Sequence, residues 1–281
     1  MIRLGLIGSG IQASRSPAMH VAAARAHGAA CEYRLFDLDA GDADADGLPD
    51  IVATLERQGY AGFNVTHPCK QAVLPLLTDL SEDARELGAV NTVVLRSGRR
   101  YGHNTDWTGF REGFTRGLPG AVLDHVVQLG AGGAGAATAL ALLTMGCRRL
   151  TVVDVATERA RALAARFSAR FAGRVTVEAE PGDALRTASG LVHATPTGMV
   201  EHPGMPIDGA LLRPDLWVAE VVYFPLETEL LRAVRRVGCP TVDGGGMALY
   251  QAVEAFRLFT GLEPDVERMR DAFQSAGRAI G

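Results

Sequence analysis

The chain has 281 residues, which is long for one compact core, so two domains are expected. Hydrophobic residues make up 47% and charged residues 21%, as in an ordinary soluble globular protein, and the formal net charge of −4 argues against nucleic acid or an anionic membrane as a partner. No apolar run approaches the roughly 18 residues of a membrane span, and the first residues lack the apolar stretch of a signal peptide.

Up to about residue 102, short apolar runs alternate with segments of helical periodicity. The first run, 4–7, is predicted to be a strand. The segments after it are, in order, a helix at 17–30, the apolar run EYRLFDL at 32–38, a surface loop rich in Asp and Gly at 40–49, a helix at 51–58, a strand at 61–65, a helix at 69–77 and a strand at 93–95. This alternation predicts a mostly parallel sheet with helices on both faces.

A glycine pair near the N-terminus imitates a nucleotide-binding turn. Gly8 and Gly10 follow the first apolar run, but the next residues form a loop rich in hydroxyls. Pro17 suits the first turn of a helix, with Ser16 as the candidate cap. A helix that begins there starts too late to place its N-terminus against a pyrophosphate, so we predict a strand and a serine-bearing loop.

Polar side chains recur where the predicted strands of this zone end. Taken singly, each has an ordinary explanation as a turn residue, a helix cap or a solvated charge. Together, hydroxyls, amides, one lysine and one aspartate suit a small, polyhydroxylated, anionic ligand. The residues are Ser14, Ser16, Asn64, Thr66, Lys70, Asn91 and Asp106.

Residues 126–154 are the most informative part of the chain. An apolar run leads into a glycine turn, an alanine-rich segment of helical length and a second apolar run, which together form the dinucleotide-binding fingerprint. Gly130 permits the tight turn, Gly132 lets the backbone approach a pyrophosphate, and Gly135 allows close packing of helix on strand. The predicted cofactor-binding turn is Gly130, Ala131, Gly132, Gly133, Ala134 and Gly135.

The residue that ends the second run predicts which dinucleotide binds. Asp154 is placed to accept hydrogen bonds from the adenosine ribose hydroxyls, and its charge would repel a 2′-phosphate. Arg159 and Arg161 could in principle favour NADP, but a solvated helix face is their more ordinary use. We therefore expect NAD.

The rest of the chain completes two α/β domains. Further strands are predicted at 174–178, 191–194, 217–222 and 240–242, and closing helices at 247–260 and 265–279, the first with a buried face at Ala252, Phe256 and Phe259. We predict a substrate domain over 1–102, completed by 247–281, and a Rossmann domain over 103–246. A ligand is expected between them, at the carboxyl ends of the strands.

The cysteines and histidines give no sign of a metal or of disulfides. Four cysteines lack CxxC spacing and seven histidines lack metal-pair spacing, so we expect no metal and a reducing cytoplasm. The sequence carries no marker of oligomeric state, and a homodimer stays open.

Seven segments resemble the shikimate/quinate dehydrogenase family, in the family's order and over nearly the whole chain. They are SRSPAMH, GFNVTHPCK, GAVNTVV, HNTDWTGF, GAGGAG, ATPTGM and GGGMALYQAVEAF. The resemblance implies a dehydrogenase for shikimate or quinate, with NAD or NADP as cofactor.

It also implies roles for particular residues. Lys70 and Asp106 would be the catalytic pair, and Ser14 and Ser16 would bind the substrate carboxylate. The ring hydroxyls would be surrounded by that pair together with Asn64, Thr66, Asn91 and Gln251, with Tyr223 near the substrate or nicotinamide. Thr195, Gly198, Met199, Gly246 and Met247 would flank the nicotinamide.

Two details of the resemblance concern the branch of the family. Asp154 stands where NADP-dependent members usually carry a phosphate-binding Asn-Arg-Thr, which is similar to the NAD-preferring branch. Members that handle quinate well often carry threonine in place of Ser16 and tyrosine in place of Cys69. We therefore expect shikimate as the main substrate and quinate as a second one.

Three alternatives stay open. One is a dehydrogenase for an amino-substituted shikimate, which a related branch of the family represents. Another is a non-catalytic ligand sensor on the same fold, which the presence of both Lys70 and Asp106 disfavours. A different NAD enzyme with a similar plan would not explain the paired serines and Gln251 together.

Overall fold

The structure is a computed structural model that describes residues 1–40 and 47–278. The chain divides into two compact units, one comprising Met1–Thr105 with the segment from Gln251 onward, the other Asp106–Tyr250. Each unit contains a six-stranded sheet among the described residues. The fold is the two-domain α/β architecture expected from the sequence. None of the described helices is long and apolar enough to cross a membrane.

The elements are numbered in chain order. The strands are β1 (Ile2–Gly8), β2 (Cys31–Asp37), β3 (Gly62–Val65), β4 (Asp79–Leu80), β5 (Thr92–Arg96), β6 (Arg99–His103), β7 (His125–Leu129), β8 (Arg149–Val153), β9 (Val175–Val177), β10 (Gly190–His193), β11 (Trp217–Glu220) and β12 (Thr241–Val242). The helices are α1 (Ser16–Ala26), α2 (Leu48–Arg57), α3 (Cys69–Ala72), α4 (Glu82–Leu87), α5 (Asp106–Gly117), α6 (Gly133–Thr144), α7 (Thr157–Phe167), α8 (Gly182–Thr187), α9 (Glu229–Val237), α10 (Gly244–Thr260) and α11 (Val266–Arg278).

The first unit has a mixed sheet in the order β2-β1-β3-β5-β6-β4. β1 pairs in parallel with β2 and β3, whereas β5 is antiparallel to both β3 and β6. Sequence reasoning missed β6, which returns from β5 through a two-residue turn. Ser97 and Gly98 both have positive φ, 53° and 70°, as a tight hairpin turn of the primed type requires.

The second unit has a wholly parallel sheet in the order β12-β11-β10-β7-β8-β9. Read from the other edge, this is the 3-2-1-4-5-6 order of the Rossmann fold. The order of connections reverses between β7 and β10, and ligands of such sheets bind outside the carboxyl ends of the strands at that point. The glycine turn that follows β7 therefore lies where a dinucleotide would be held.

Separate apolar cores support the two sheets. In the first unit Ile7, Val52 and Phe63 are fully buried, and in the second Val127 and Leu191 are. Full burial of one such aliphatic or aromatic side chain contributes about 1.5–3 kcal/mol relative to exposure. Ala252, Phe256 and Phe259 of α10 are also buried, as their spacing predicts.

Three local predictions were wrong in their limits. The first helix begins at Ser16, after Arg15, so Ser16 is its first residue and not its cap. The helix predicted at 69–77 ends at Ala72, and a separate 3-10 turn, Leu74–Leu76, contains Pro75, which cannot donate a backbone hydrogen bond. Of the loop predicted at 40–49, residues 41–46 lie outside the described part, and Leu48 already begins α2.

Candidate active site

Ser14 and Ser16 lie side by side after β1. The Ser14 hydroxyl oxygen accepts a hydrogen bond from the backbone N–H of Ser16 at 3.3 Å, and both residues are half-buried. Each hydroxyl has one hydrogen to donate, so two adjacent serines suit the two oxygens of a carboxylate.

The loop that leads to these serines is fixed by Asp37 at the end of β2. Its carboxylate accepts the backbone N–H groups of Gly10 at 3.0 Å and Ile11 at 3.2 Å, and the side-chain amide of Gln12 at 2.9 Å. Burial acts to raise the pKa of Asp37, but the hydrogen bonds from Gln12 and the backbone outweigh it and hold that pKa below its usual range. One carboxylate therefore sets the course of the chain ahead of Ser14.

Asn64, at the carboxyl end of β3, has its amide orientation fixed by neighbours. Its Nδ2 donates to the Asn91 carbonyl at 3.2 Å and to the Thr92 hydroxyl at 3.0 Å. Its Oδ1 accepts from the Tyr33 hydroxyl at 2.9 Å. Because both amide hydrogens are used within the protein, Asn64 can meet a ligand only as an acceptor.

Asn91 ties the start of β5 to the chain that follows β6. Its Oδ1 accepts the Thr105 backbone N–H at 2.7 Å, and its Nδ2 donates to the Thr105 hydroxyl at 3.0 Å. Asn91 and Thr105 are 4% and 1% exposed. The structure thus brings two of the predicted substrate residues, Asn64 and Asn91, into one buried hydrogen-bonded network.

Thr66 and Lys70 belong to the same edge of this sheet. The backbone N–H of Thr66 donates to the Ile7 carbonyl at 2.9 Å, and the Lys70 carbonyl accepts from Val90 at 2.9 Å. The second bond places Lys70 of α3 beside the residue that precedes Asn91. Lys70 is half-buried, as is Gln251 in α10.

Lys70 is also the only lysine of the chain, which contains 27 arginines. Arginine is effectively always protonated in proteins and cannot exchange a proton at neutral pH, whereas a lysine can. Sequence reasoning overlooked this count, although it is visible in the composition. Lys70 is therefore the one side chain of its kind in the chain, and no arginine could replace it in a proton transfer.

In the second unit, the glycine turn is built for close approach. Gly130 has φ of +99°, and a Cβ there would collide with the Ala194 carbonyl, while a Cβ on Gly135 would collide with the Gly130 carbonyl. A Cβ on Gly132 or Gly133 would meet nothing within 4 Å, so the space before α6 is open. The α6 N-terminus also has no capping side chain, which leaves its backbone N–H groups for an anion. This turn fits a dinucleotide pyrophosphate.

A buried side chain that sequence reasoning missed holds the turn in place. Gln128 of β7 is fully buried, and its amide donates to the carbonyls of Gly130 at 2.9 Å and Gly135 at 2.8 Å. Its carbonyl oxygen accepts from the Thr138 hydroxyl at 2.8 Å. The available signal was a polar residue inside an apolar run, because a buried polar group must find partners.

Asp154 lies half-buried beside the same turn. Its Oδ2 accepts the Ala131 backbone N–H at 2.8 Å and its Oδ1 accepts that of Ala156 at 2.8 Å. The next residue, Val155, is fully exposed. A carboxylate held against the glycine turn fits the two hydroxyls of an adenosine ribose.

The predicted nicotinamide segment, 195–199, begins at a buried acid–base pair. His193 Nδ1 lies 2.9 Å from Glu220 Oε1, and both side chains are fully buried. His193 Nε2 lies 2.5 Å from the Thr195 hydroxyl. The other oxygen of Glu220 accepts from the Thr228 hydroxyl at 3.0 Å. Thr195 is therefore oriented by His193 of β10, which is itself held by Glu220 of the neighbouring strand β11, and periodicity alone does not reveal this.

Further predicted residues of the second unit lie at the start of α5, at the start of α10 and after β11. Asp106 is the first residue of this helix and is 8% exposed. Further along, a Cβ on Gly113 would press on Gly246 and the backbone N of Met247, so α5 packs directly on the first residues of α10. Tyr223 follows β11 and is 43% exposed. Lys70 and Asp106 belong to different units, and their pairing stays a prediction.

These features define the class of protein. A Rossmann sheet with a glycine turn and a terminal acid, in one chain with an α/β unit that gathers hydroxyls and amides, is the plan of a nicotinamide-dinucleotide oxidoreductase.

The particular family follows from comparison with known proteins. Residues 6–93 match the shikimate dehydrogenase substrate binding domain, and residues 244–272 match the shikimate 5′-dehydrogenase C-terminal domain. The chain is 54% identical over 280 residues to the shikimate dehydrogenase (NADP(+)) of Streptomyces avermitilis, covering 98% of this chain and 96% of that protein. It is 51% identical over 278 residues to the quinate/shikimate dehydrogenase (NAD(+)) of Corynebacterium glutamicum, covering 98% of each.

A solved structure agrees. The quinate dehydrogenase from Corynebacterium glutamicum in complex with NAD superposes with a TM-score of 0.92 at 50% identity, covering 98% of this chain and 99% of that one. The chain therefore belongs to the shikimate dehydrogenase family. Membership supports shikimate/quinate dehydrogenase activity with a nicotinamide dinucleotide cofactor, while the relatives named here include both NAD and NADP enzymes.

Proposed function

We propose that this chain is an NAD-preferring dehydrogenase that interconverts shikimate and 3-dehydroshikimate and accepts quinate as a second substrate. Two arrangements carry the proposal. The first unit has a buried network of amides and hydroxyls around Asn64 and Asn91, and the second has a glycine turn to which Asp154 is hydrogen-bonded. Family membership over 98% of the chain supports the same reaction.

In this proposal the first unit binds the substrate. Ser14 and Ser16 donate to the carboxylate, and Asn64 accepts from a ring hydroxyl through its Oδ1. Thr66, Asn91 and Gln251 complete the set around the ring. The donors and acceptors present match a carboxylate on a polyhydroxylated ring, which is the ligand chemistry that the residues favour.

Lys70 and Asp106 are proposed to move the proton. When bound, NAD takes up the hydride from the carbinol carbon during alcohol oxidation. Lys70 receives the hydroxyl proton in that direction and returns it to the forming alkoxide in the other. The Asp106 carboxylate orients the lysine and compensates its charge. The unique lysine of the chain supports this role, because none of the 27 arginines could take it over.

The preference for NAD is proposed from three neighbouring side chains. Asp154 carries its negative charge where a 2′-phosphate would lie, and Val155 offers no cation. Arg161 is already paired with Glu158 on the exposed face of α7. The 54%-identical relative named for NADP makes this a point that requires measurement.

The test is a set of initial rates of reduced-cofactor formation, with shikimate and quinate each combined with NAD and NADP. We expect the largest kcat/KM for shikimate with NAD, at least tenfold above shikimate with NADP, and slower turnover of quinate. Preference for NADP would show that Arg159 or Arg161 overrides Asp154. No turnover of any of the four pairs would contradict the proposal and favour an amino-substituted substrate or a sensor.

A further inference from the structure

Tyr33, on β2, is hydrogen-bonded to a residue that the proposed function places against the substrate, Asn64. Its hydroxyl donates to Asn64 Oδ1 at 2.9 Å. The Ser16 side chain is also close enough to the phenol to act on its pKa, which it lowers against the effect of burial. Tyr33 therefore lies beside Ser16 and is hydrogen-bonded to Asn64.

Asn64 determines the direction of the hydrogen bond between Tyr33 and Asn64. Asn64 uses both amide hydrogens on Asn91 and Thr92, so its Oδ1 must face the phenol as an acceptor. Burial raises the pKa of the Tyr33 hydroxyl, which keeps its proton and remains a donor. Because its one proton is donated to Asn64, the phenol oxygen can act only as an acceptor towards other neighbours.

The ring of Tyr33 is held from behind by an aromatic cluster. His20 of α1 stacks on it with centroids 5.0 Å apart and planes at 26°. His20 in turn contacts Phe256 and Phe259 of α10, at centroid distances of 6.1 and 5.8 Å. Because His20 is 1% exposed, the phenol has a rigid wall behind it and little room to turn away.

We infer that Tyr33 is a positioning residue for the substrate, because its hydroxyl fixes the amide of Asn64, the predicted ring-hydroxyl contact, through a hydrogen bond. This inference rests on the proposed function. Tyr33 donates to Asn64 Oδ1 both before and after binding, so that this oxygen keeps one orientation towards the ring.

The test is Tyr33→Phe, which removes only the oxygen and keeps the ring against His20. We expect the KM for shikimate to rise roughly three- to tenfold, the effect of losing about one hydrogen bond. The KM for NAD should stay within twofold of the wild-type value, and kcat should fall less than threefold. The matched control is Tyr60→Phe, a tyrosine of the same unit that is 5% exposed and packs against Phe36; its KM for shikimate should not change.

A double-mutant cycle distinguishes a positioning role of Tyr33 from a merely structural one. In this cycle, Asn64→Ala and Tyr33→Phe should raise the KM for shikimate by less together than the product of their separate effects, because Tyr33 acts on the substrate through Asn64. An unchanged KM in Tyr33→Phe, or independent effects in the cycle, would overturn the inference while wild-type turnover of shikimate upholds the proposed function. A wild-type chain that does not turn over shikimate would overturn both.

Discussion

The carboxylate of Asp154 accepts a hydrogen bond of 2.8 Å from the backbone N–H of Ala131, so the end of β8 is tied to the glycine turn that follows β7. Asp37 holds Gly10 in the same way at 3.0 Å in the other unit, at the end of β2 and after β1. The same device thus serves two purposes. In the second unit it borders open space in front of α6, and in the first it shapes the loop that carries the serines.

This arrangement predicts how cofactor preference can be changed. Asp154→Asn with Val155→Arg removes the charge that opposes a 2′-phosphate and adds a cation on the exposed neighbour. We expect the ratio of kcat/KM with NAD to kcat/KM with NADP to fall by about 100-fold or more. This corresponds to about 2.8 kcal/mol, since each 1.4 kcal/mol changes the ratio tenfold. Steady-state rates with shikimate measure this ratio directly.

Val155→Ala serves as the control for the cofactor change, because it alters the same exposed side chain without adding charge. It should leave the ratio within threefold of the wild-type value. If the double variant kept the wild-type ratio, Asp154 would have no part in discrimination, and the structural role of holding Ala131 would be its whole function.

The unique lysine allows an unusually clean test of catalysis. We expect Lys70→Ala to lower kcat by roughly 10²–10⁴, the usual effect of losing a general acid–base group, with the dissociation constant for NAD within twofold of wild type. Lys70→Arg should be nearly as slow, because a guanidinium retains the charge but does not release its proton. Fluorescence titration with NADH gives the cofactor affinity independently of turnover.

Chemical modification provides a second readout on the wild-type protein. An amine-specific reagent can modify only Lys70 and the N-terminal amine, since the sequence has no other lysine. Inactivation should follow the modification of one group and should be slowed by shikimate. A fully modified protein that retained its activity would remove Lys70 from the mechanism.

The features that could be predicted from the sequence are those that depend on residues close together in the chain. The Rossmann turn was predictable because strand, glycines, helix and terminal acid follow one another within residues 126–154 and each has a steric reason. The buried face of α10 was predictable from spacing alone. Both signals survive in a single sequence because they depend on near neighbours.

The polar networks could not be predicted in the same way. Tyr33 and Asn64 are 31 positions apart, and His193 and Glu220 are 27 apart. His193 and Glu220 meet because β10 and β11 are neighbouring parallel strands, and Tyr33 meets Asn64 across β1, which lies between β2 and β3. Both pairings therefore depend on the strand order of the sheet. The β5–β6 hairpin was missed for a different reason, since Ser97-Gly98 was a usable turn signal that was passed over.

The His193–Glu220 pair predicts a large loss of stability on truncation. Glu220→Ala would leave His193 Nδ1, the Thr228 hydroxyl and the Val222 N–H without their buried acceptor. We expect the free energy of unfolding to fall by about 3–5 kcal/mol, as when one partner of a buried pair is removed. Denaturant titration followed by fluorescence measures it.

The matched control for Glu220 is Glu227→Ala, which breaks an exposed pair with Arg235. This change should cost less than about 1 kcal/mol. The Glu220 variant should also raise the KM for the dinucleotide, because His193, which orients Thr195, loses the carboxylate that holds it. Equal stability of the two variants would mean that the buried pair contributes no more than a surface contact.

His20 predicts a pH dependence of stability that can be isolated by one substitution. Burial lowers the pKa of His20 from 6.5 to about 3, so the folded protein keeps it neutral while the unfolded chain protonates it below pH 6.5. Its contribution to stability is therefore complete above pH 6.5 and is lost as the pH falls towards 3. Each pH unit in that window costs about 1.4 kcal/mol, or about 2 kcal/mol between pH 7 and pH 5.

His20→Phe keeps a ring against Tyr33, Phe256 and Phe259 and removes the titrating group. We expect the free energy of unfolding of the wild type to fall between pH 7 and pH 5 by about 2 kcal/mol more than that of the variant. The other ionisable groups are the same in both proteins, so their contributions cancel in this difference. Parallel pH profiles of the two proteins would show that His20 takes up a proton in the folded state. The ring stacked on Tyr33 would then carry a charge and would not be the apolar support inferred from its burial.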